Sequence, residues 1–202
     1  TGFYLDQRLA RQRVQELAAG RRVLDLFSYQ GAFSLAALRG GASSALAIDQ
    51  SAPALERASA AAAENGLVGL EVECAEVFAW LRTARRAERR FDLVVLDPPA
   101  FAKSRGEAEA ALAGYRDLNR LALRLLAPGG YLLSCSCSHH VSGVQLEGVV
   151  RQAAAELPFR IILRERIPAA PDHPIWVSLP QSEYLKVLLL QRPCVVPEPP
   201  RP

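Results

Sequence analysis

The stretch "YLLSCSCSHHV", residues 131–141, carries Cys135 and Cys137 where an apolar run gives way to polar residues. A thiol at such a place can be core filler, a metal ligand, half of a disulfide or a nucleophile. The two cysteines are too close in sequence to bridge easily. Cys135, Cys137, His139 and His140 also lack the spaced pairs of a zinc site, so no metal is expected. Upstream, "DPPAF" sets Asp97 near Phe101 in a loop stiffened by Pro98 and Pro99. An acid beside an aromatic suits a flat heterocycle, the carboxyl meeting its polar edge and the ring its face.

A second group of residues suits an adenosine-like ligand. In "DLFSYQGAF", Ser28, Tyr29 and Gly31 form a turn where Gly31 lets the backbone approach a ligand closely and a helix N-terminus follows. Asp49, in "IDQS", comes roughly 20 residues after the turn, where a carboxylate can accept both hydroxyls of a ribose. Only one Gly stands where the dinucleotide fingerprint needs three, which argues against hydride transfer. Glu76 is placed either to meet the adenine edge or to serve as a carboxylate in the first turn of a helix.

These residues need a scaffold. "FYLDQRLARQRVQELAAG" reads as an extended start and a helix stopping at Gly20. "RRVLDLFS", "SSALAID", "LEVECA" and "FDLVVLD" read as strands alternating with helices. A long helix over "EAEAALAGYRDLNRLALRLL" precedes a strand "YLLSCS" that starts after Pro128–Gly130. A helix near Gln145 to Leu157 and strands near "RIILRERI" and "EYLKVLLLQ" complete the pattern. The alternation predicts an α/β, Rossmann-like fold, a mostly parallel sheet with helices on both faces. In such a sheet a ligand sits beyond the carboxyl ends of the strands where their order reverses, next to the residues singled out above.

A chain of 202 residues, half of them hydrophobic and 22% charged, is enough for one domain and far from the disordered class. No apolar run approaches the ~20 residues needed to cross a bilayer, and the expectation is a cytoplasmic protein. The chain begins at Thr1 and has no Met, which suggests a piece of something longer. The net charge of +3 is carried mostly by Arg and supports nucleic acid only weakly. Arg82, Arg85, Arg86 and Arg89 fall at helical spacing and read equally as a phosphate-binding stripe or a solvated face. The Pro-rich tail, 193–202, is expected to be extended or disordered.

Taken in order, "DLFSYQGAFSLAA", "IDQS", "DPPAF" and "SCSCS" resemble class I S-adenosylmethionine (AdoMet) dependent methyltransferases. With "TGFYLDQR" in front and "DHP" then "EYLK" near the end, the chain is similar to the catalytic domain of the RlmI-like bacterial 23S rRNA cytosine-C5 methyltransferases, up to about Arg192. The resemblance implies a catalytic domain over 1–192 with an antiparallel C-terminal strand, and PUA and linking domains missing from the front. It implies AdoMet held by Gln7, Ser28, Tyr29, Gly31, Asp49, Glu76 and Asp97, with S-adenosylhomocysteine as product and no metal. Cys137 falls at the nucleophile position, and Cys135 reads as a small buried neighbour or an assistant. Asp97 would also meet the N3/N4 edge of the base, while Pro98, Phe101, Lys103 and Arg105 would contact the RNA. The implied partner is 23S rRNA or a large-subunit precursor, with no membrane, and a homodimer is admitted. Two other readings stay open: an rRNA guanine methyltransferase without a nucleophilic thiol, and a non-catalytic AdoMet- or RNA-binding module.

Overall fold

The computed structural model describes residues 3–101 and 105–194, so Lys103 and the tail beyond Cys194 lie outside the described residues. A 3-10 turn at Leu5–Gln7 leads into α1 (Arg8–Leu17), followed by β1 (Arg22–Leu26), α2 (Ala32–Arg39), β2 (Ser44–Asp49) and α3 (Ala52–Glu64). Then come β3 (Leu70–Cys74), α4 (Val77–Arg86), β4 (Phe91–Leu96) and a 3-10 turn at Arg105–Glu107. The chain continues through α5 (Ala108–Arg124), β5 (Leu126–Ser136), α6 (Gly143–Ala155), β6 (Ile162–Ile167) and β7 (Lys186–Gln191).

The strands form one seven-stranded sheet in the order β3-β2-β1-β4-β5-β7-β6. All run parallel except β7, which is antiparallel to both β5 and β6. This is the expected α/β architecture, and its central strands are apolar on both faces because helices cover both. Leu93 and Val95 of β4 pack with Val14 of α1 and Phe33 of α2 on one face. Val94 and Leu96 pack with Trp80 of α4, Leu118 of α5 and Leu146 of α6 on the other. Helix starts follow local chemistry: Ser142 and Gln145 form a reciprocal capping box at α6, and Pro53 sits in the first turn of α3.

Strand β5 begins at Leu126, ahead of the expected start at Tyr131. Pairing runs Phe91 to Leu126 and then Leu93 to Tyr131, so Pro128, Gly129 and Gly130 are taken up in a bulge. A bulge tolerates Pro because its missing N–H is not needed by the ladder. Gly129 N–H donates to the Arg192 carbonyl oxygen at 2.9 Å, and Arg192 N–H to that of Gly130 at 2.9 Å, which ties the bulge to the end of β7.

The order reverses between β1 and β4, since β2 lies to one side of this pair and β5 to the other. Backbone bonds continue past the strand ends here: Ser28 N–H reaches the Ile48 carbonyl at 3.1 Å, Ala75 N–H that of Asp49 at 3.0 Å, and Asp97 N–H that of Leu26 at 3.4 Å. Ser28, Asp49 and Asp97 are thereby fixed along one rim of the sheet.

Candidate active site

A cavity of about 700 Å³ opens at that rim, within the size range of small-molecule sites. Among its lining residues are Gln7, Ser28, Tyr29, Asp49, Glu76 and Asp97, so six of the seven expected cofactor residues meet there. Pro98 and Cys137 lie on the same wall system. The turn after β1 is wound tightly, with Phe27 at φ 60°, Tyr29 at φ 49° and Gly31 at φ 70°. Left-handed conformations at two bulky residues cost energy and cluster at functional sites. The result here is that Tyr29 N–H donates to Asp49 Oδ2 at 2.9 Å, while Ser51 N–H donates to Oδ1 at 2.9 Å. Asp49 is thus clamped by the backbone with lone pairs left over, as a diol-binding carboxylate requires.

Three features are placed in ways the sequence did not show. Gly31 is not on the cavity wall. A Cβ there would lie 2.9 Å from the Ala58 Cβ of α3, so the glycine serves the turn and the close contact between turn and helix. Phe101 does not line the cavity either; its ring turns inward against Tyr115, 5.0 Å between centroids, because the core offers it more apolar area than the open mouth. The arginine stripe is broken: α4 ends at Arg86, and Glu88 at φ 53° redirects the chain. The Arg89 guanidinium then stacks on Trp80 and Phe91, at 5.2 and 5.3 Å. Arg105 is described only through its backbone, which opens a 3-10 turn.

Glu76 lines the cavity but is also the N-cap of α4, its carboxylate accepting from Phe78 N–H at 2.9 Å and Ala79 N–H at 2.8 Å. The helix-cap reading is thus the one seen, on a residue that also lines the cavity. Gln7 Nε2 donates to Asp97 Oδ2 at 2.7 Å. Asp97 opens onto the cavity with protein on its other sides, and burial pushes its carboxyl up to about 6 against the opposing bond from Gln7. Gln7 Oε1 and Ser28 Oγ are buried without a partner among the described residues. Two orphaned polar atoms on one wall, beside the clamped Asp49, fit a polar nucleoside ligand such as AdoMet.

Cys135 and Cys137 are separated by the end of β5 at Ser136. Cys135, paired to Val187, is fully buried in the core beside Leu133, Leu189 and Val14. Cys137 lies just past β5 and reaches the cavity. Burial pushes the Cys137 thiol up from its ordinary value, and the Asp97 charge adds to this. Among the described residues no group of three or more His, Cys, Asp and Glu is placed to hold a metal ion, and no helix is long and apolar enough to cross a membrane.

Sequence reasoning missed Tyr4, Asp6, His139, His173 and Tyr184, which line the same cavity. Tyr184 OH donates to Asp6 Oδ2 at 2.8 Å, joining residues at opposite ends of the chain. The signal for Tyr4, Asp6, His173 and Tyr184 was present in "TGFYLDQR", "DHP" and "EYLK", motifs that mark the resemblance but whose meeting point no periodicity reveals, while His139, weighed above only as a metal ligand, follows Cys137 by two residues.

Two consequences are measurable. Gly31→Ala, which adds to a left-handed residue a Cβ that would crowd the Ala58 Cβ, is expected to destabilise by about 2 kcal/mol and to weaken AdoMet binding, read by urea unfolding and calorimetric titration. Asp25 of β1 is fully buried, with Oδ2 accepting from Ser34 N–H at 3.0 Å and Ser34 Oγ at 2.7 Å and Oδ1 unpartnered among the described residues. Burial raises its carboxyl from 3.8 to about 7, so the folded protein keeps a proton that the unfolded chain releases, and the group's contribution to stability falls as pH rises from 3.8 to about 7. Asp25→Asn should flatten that slope in unfolding curves taken across this range.

The sequence model of the S-adenosylmethionine-dependent methyltransferases matches residues 1–190. A ribosomal RNA large subunit methyltransferase I of Photobacterium profundum is 42% identical over 188 residues, 92% of this chain and 47% of that protein. A ribosomal RNA large subunit methyltransferase of Deinococcus radiodurans is 45% identical over 196 residues, 95% of this chain and 47% of that protein. The chain therefore spans about half the length of the curated relatives it matches. Among solved structures, SMU.776, assigned as a methyltransferase and complexed with SAH, superimposes with a TM-score of 0.85 at 27% identity, over 95% of this chain and 50% of that one. The match over nearly the whole chain and the nucleoside-fitting cavity at the switch point agree: this chain belongs to the S-adenosylmethionine-dependent methyltransferase family.

Proposed function

We propose that the chain is the catalytic domain of a ribosomal RNA large subunit methyltransferase that methylates C5 of a cytosine in 23S rRNA through a covalent bond from Cys137 to C6. The observation that carries the reading is the placement of Cys137 on the cavity wall that also holds Asp97, while its neighbour Cys135 is sealed in the core. The printed names of the relatives support the RNA substrate.

Cytosine C5 is too weak a nucleophile to take a methyl group unaided. Attack of the Cys137 thiolate on C6 makes C5 enamine-like, and a proton delivered to N3 absorbs the charge that enters the ring. Asp97 suits that delivery because its carboxyl, raised to about 6, still holds a proton part of the time near neutrality. AdoMet would be held by Gln7, Ser28, Asp49 and Glu76 and would supply the methyl group to C5 as an electrophilic carbon on a sulfonium, with S-adenosylhomocysteine as the leaving group. A water molecule acting as base then takes the C5 hydrogen as a proton, the C6–S bond breaks to return the thiolate, and N3 gives its proton back to the Asp97 carboxylate. The base must leave its stack to reach a thiol recessed in the cavity, which favours an RNA loop as substrate.

Nucleoside mass spectrometry of unmodified 23S rRNA incubated with AdoMet and the protein, alone and joined to the rest of the chain as its relatives carry it, tests this. 5-Methylcytidine is the expected product. A methylated guanosine would replace the reading with the non-covalent one, and AdoMet binding without any product would favour a binding module.

A further inference from the structure

The chain around Cys137 is gripped from beneath by buried polar groups that the methyl-transfer chemistry does not use. Ser136 Oγ donates to Tyr115 OH at 2.9 Å, and Ser138 N–H donates to Ser136 Oγ at 3.3 Å. Lys186, the first residue of β7 and the register partner of Ser136, donates from Nζ to the Ser138 carbonyl oxygen at 2.6 Å. The residues on both sides of the thiol are therefore anchored, one to α5 and one to β7. Lys186 is itself buried, an arrangement rare for an ammonium unless something in the fold uses the charge. Apart from Lys103, every other basic side chain counted in the charge is Arg, so a compact ammonium has been placed where the rest of the chain would use a fork.

We propose, resting on the reading of Cys137 as nucleophile, that Lys186 is a positioning residue for it: the ammonium fixes the Cys137–Ser138 backbone and serves as counter-ion when the thiol ionises. The other groups facing the thiol work the opposite way. Asp97 after β4 and Asp6 in the first 3-10 turn oppose the thiolate, whereas Lys186 favours it. Tyr4, Tyr115 of α5, Tyr184 and Cys135 of β5 also sense the sulfur but are uncharged in their ordinary state. His139, His173 and Arg11 line the same cavity, and Arg11 is turned to the Tyr4 carbonyl at 2.8 Å. Burial pulls the Lys186 ammonium down from its ordinary value while the Cys137 thiolate and Glu183 favour its charge, and it borders a hollow with Glu147, Arg151 and Arg166, where Glu147 is already paired with the two arginines. Lys186 is thus a cation set against the two carboxylates at the nucleophile.

Alkylation of Cys137 by iodoacetamide across pH, followed by peptide mass spectrometry to separate it from exposed Cys74 and Cys194, reads the thiol directly. Lys186→Gln keeps a hydrogen-bond donor and removes the charge, while Lys186→Arg keeps the charge. The Gln variant is expected to move the alkylation midpoint to higher pH and slow the reaction about tenfold at a pH below it. The Arg variant is expected to stay within about threefold of the unmutated protein. An unmoved midpoint in the Gln variant overturns the proposal, as does a rate lowered equally at every pH, which is the mark of loosened packing alone. AdoMet titration reports folding of each sample. If Lys186→Gln does not fold, Lys186→Met is measured against Lys186→Arg on the same criterion, and an Arg variant whose midpoint rises by a full unit also overturns the proposal. 5-Methylcytidine made undiminished by Cys137→Ala would remove the nucleophile reading and leave the alkylation profile to decide the role of Lys186 separately.

Discussion

Cys137→Ala is expected to lower 5-methylcytidine formation by on the order of 10⁴-fold or more, since removing a nucleophile removes the covalent path and leaves only binding and orientation. AdoMet affinity should be little changed, because the clamp on Asp49 and the orphaned Ser28 and Gln7 atoms do not depend on the thiol. The neighbouring cysteine gives the control. Cys135→Ala should retain turnover while lowering stability by about 1 kcal/mol, because that side chain fills core space beside Leu133 and Leu189 and never meets the cavity. Loss of product with Cys135→Ala and retention with Cys137→Ala would exchange their roles, and parallel nucleoside mass spectrometry of the two variants decides it.

The second large effect is expected at Asp97. Asp97→Asn keeps the shape, and its Oδ1 can still accept the Gln7 Nε2 bond seen at 2.7 Å. AdoMet affinity should therefore stay within about tenfold. Proton delivery to N3 is lost, and turnover should fall about 10²-fold, the usual contribution of a positioned acid or base. The pH profile carries a further signature. Burial pushes the Asp97 carboxyl up to about 6 and the Cys137 thiol above its ordinary value, so turnover should be shaped on the acid side by the carboxyl and on the alkaline side by the thiol. Rising pH removes the Asp97 proton while it increases the thiolate, and Asp97→Asn should leave only the rise that follows the thiol. Full turnover in Asp97→Asn with normal AdoMet binding would remove the acid role.

The fold was legible because local chemistry agreed with it at most positions. Apolar runs of about six residues between helical segments specify buried parallel strands, and Pro53, Gly20 and the Ser142–Gln145 box punctuate the helices as their types dictate. The sequence also pointed to Ser28, Asp49, Asp97 and Cys137, because residues just past strand ends must meet at the switch point whatever the side chains are. Tertiary structure decided what spacing cannot carry. Phe101 turned to Tyr115 because burial of an aromatic ring outweighs exposure at a mouth, and Arg89 left its stripe because a left-handed Glu88 ended the helical period. Cys135 and Cys137, with a single residue between them, diverged because β5 ends there, leaving one side chain under β7 and the other free to reach the cavity. The pairings of Asp6 with Tyr184 and of Lys186 with Ser138 join residues 178 and 48 positions apart. Such contacts depend on the order and direction of strands, and only the folded sheet brings β7 back beside β5 to make them.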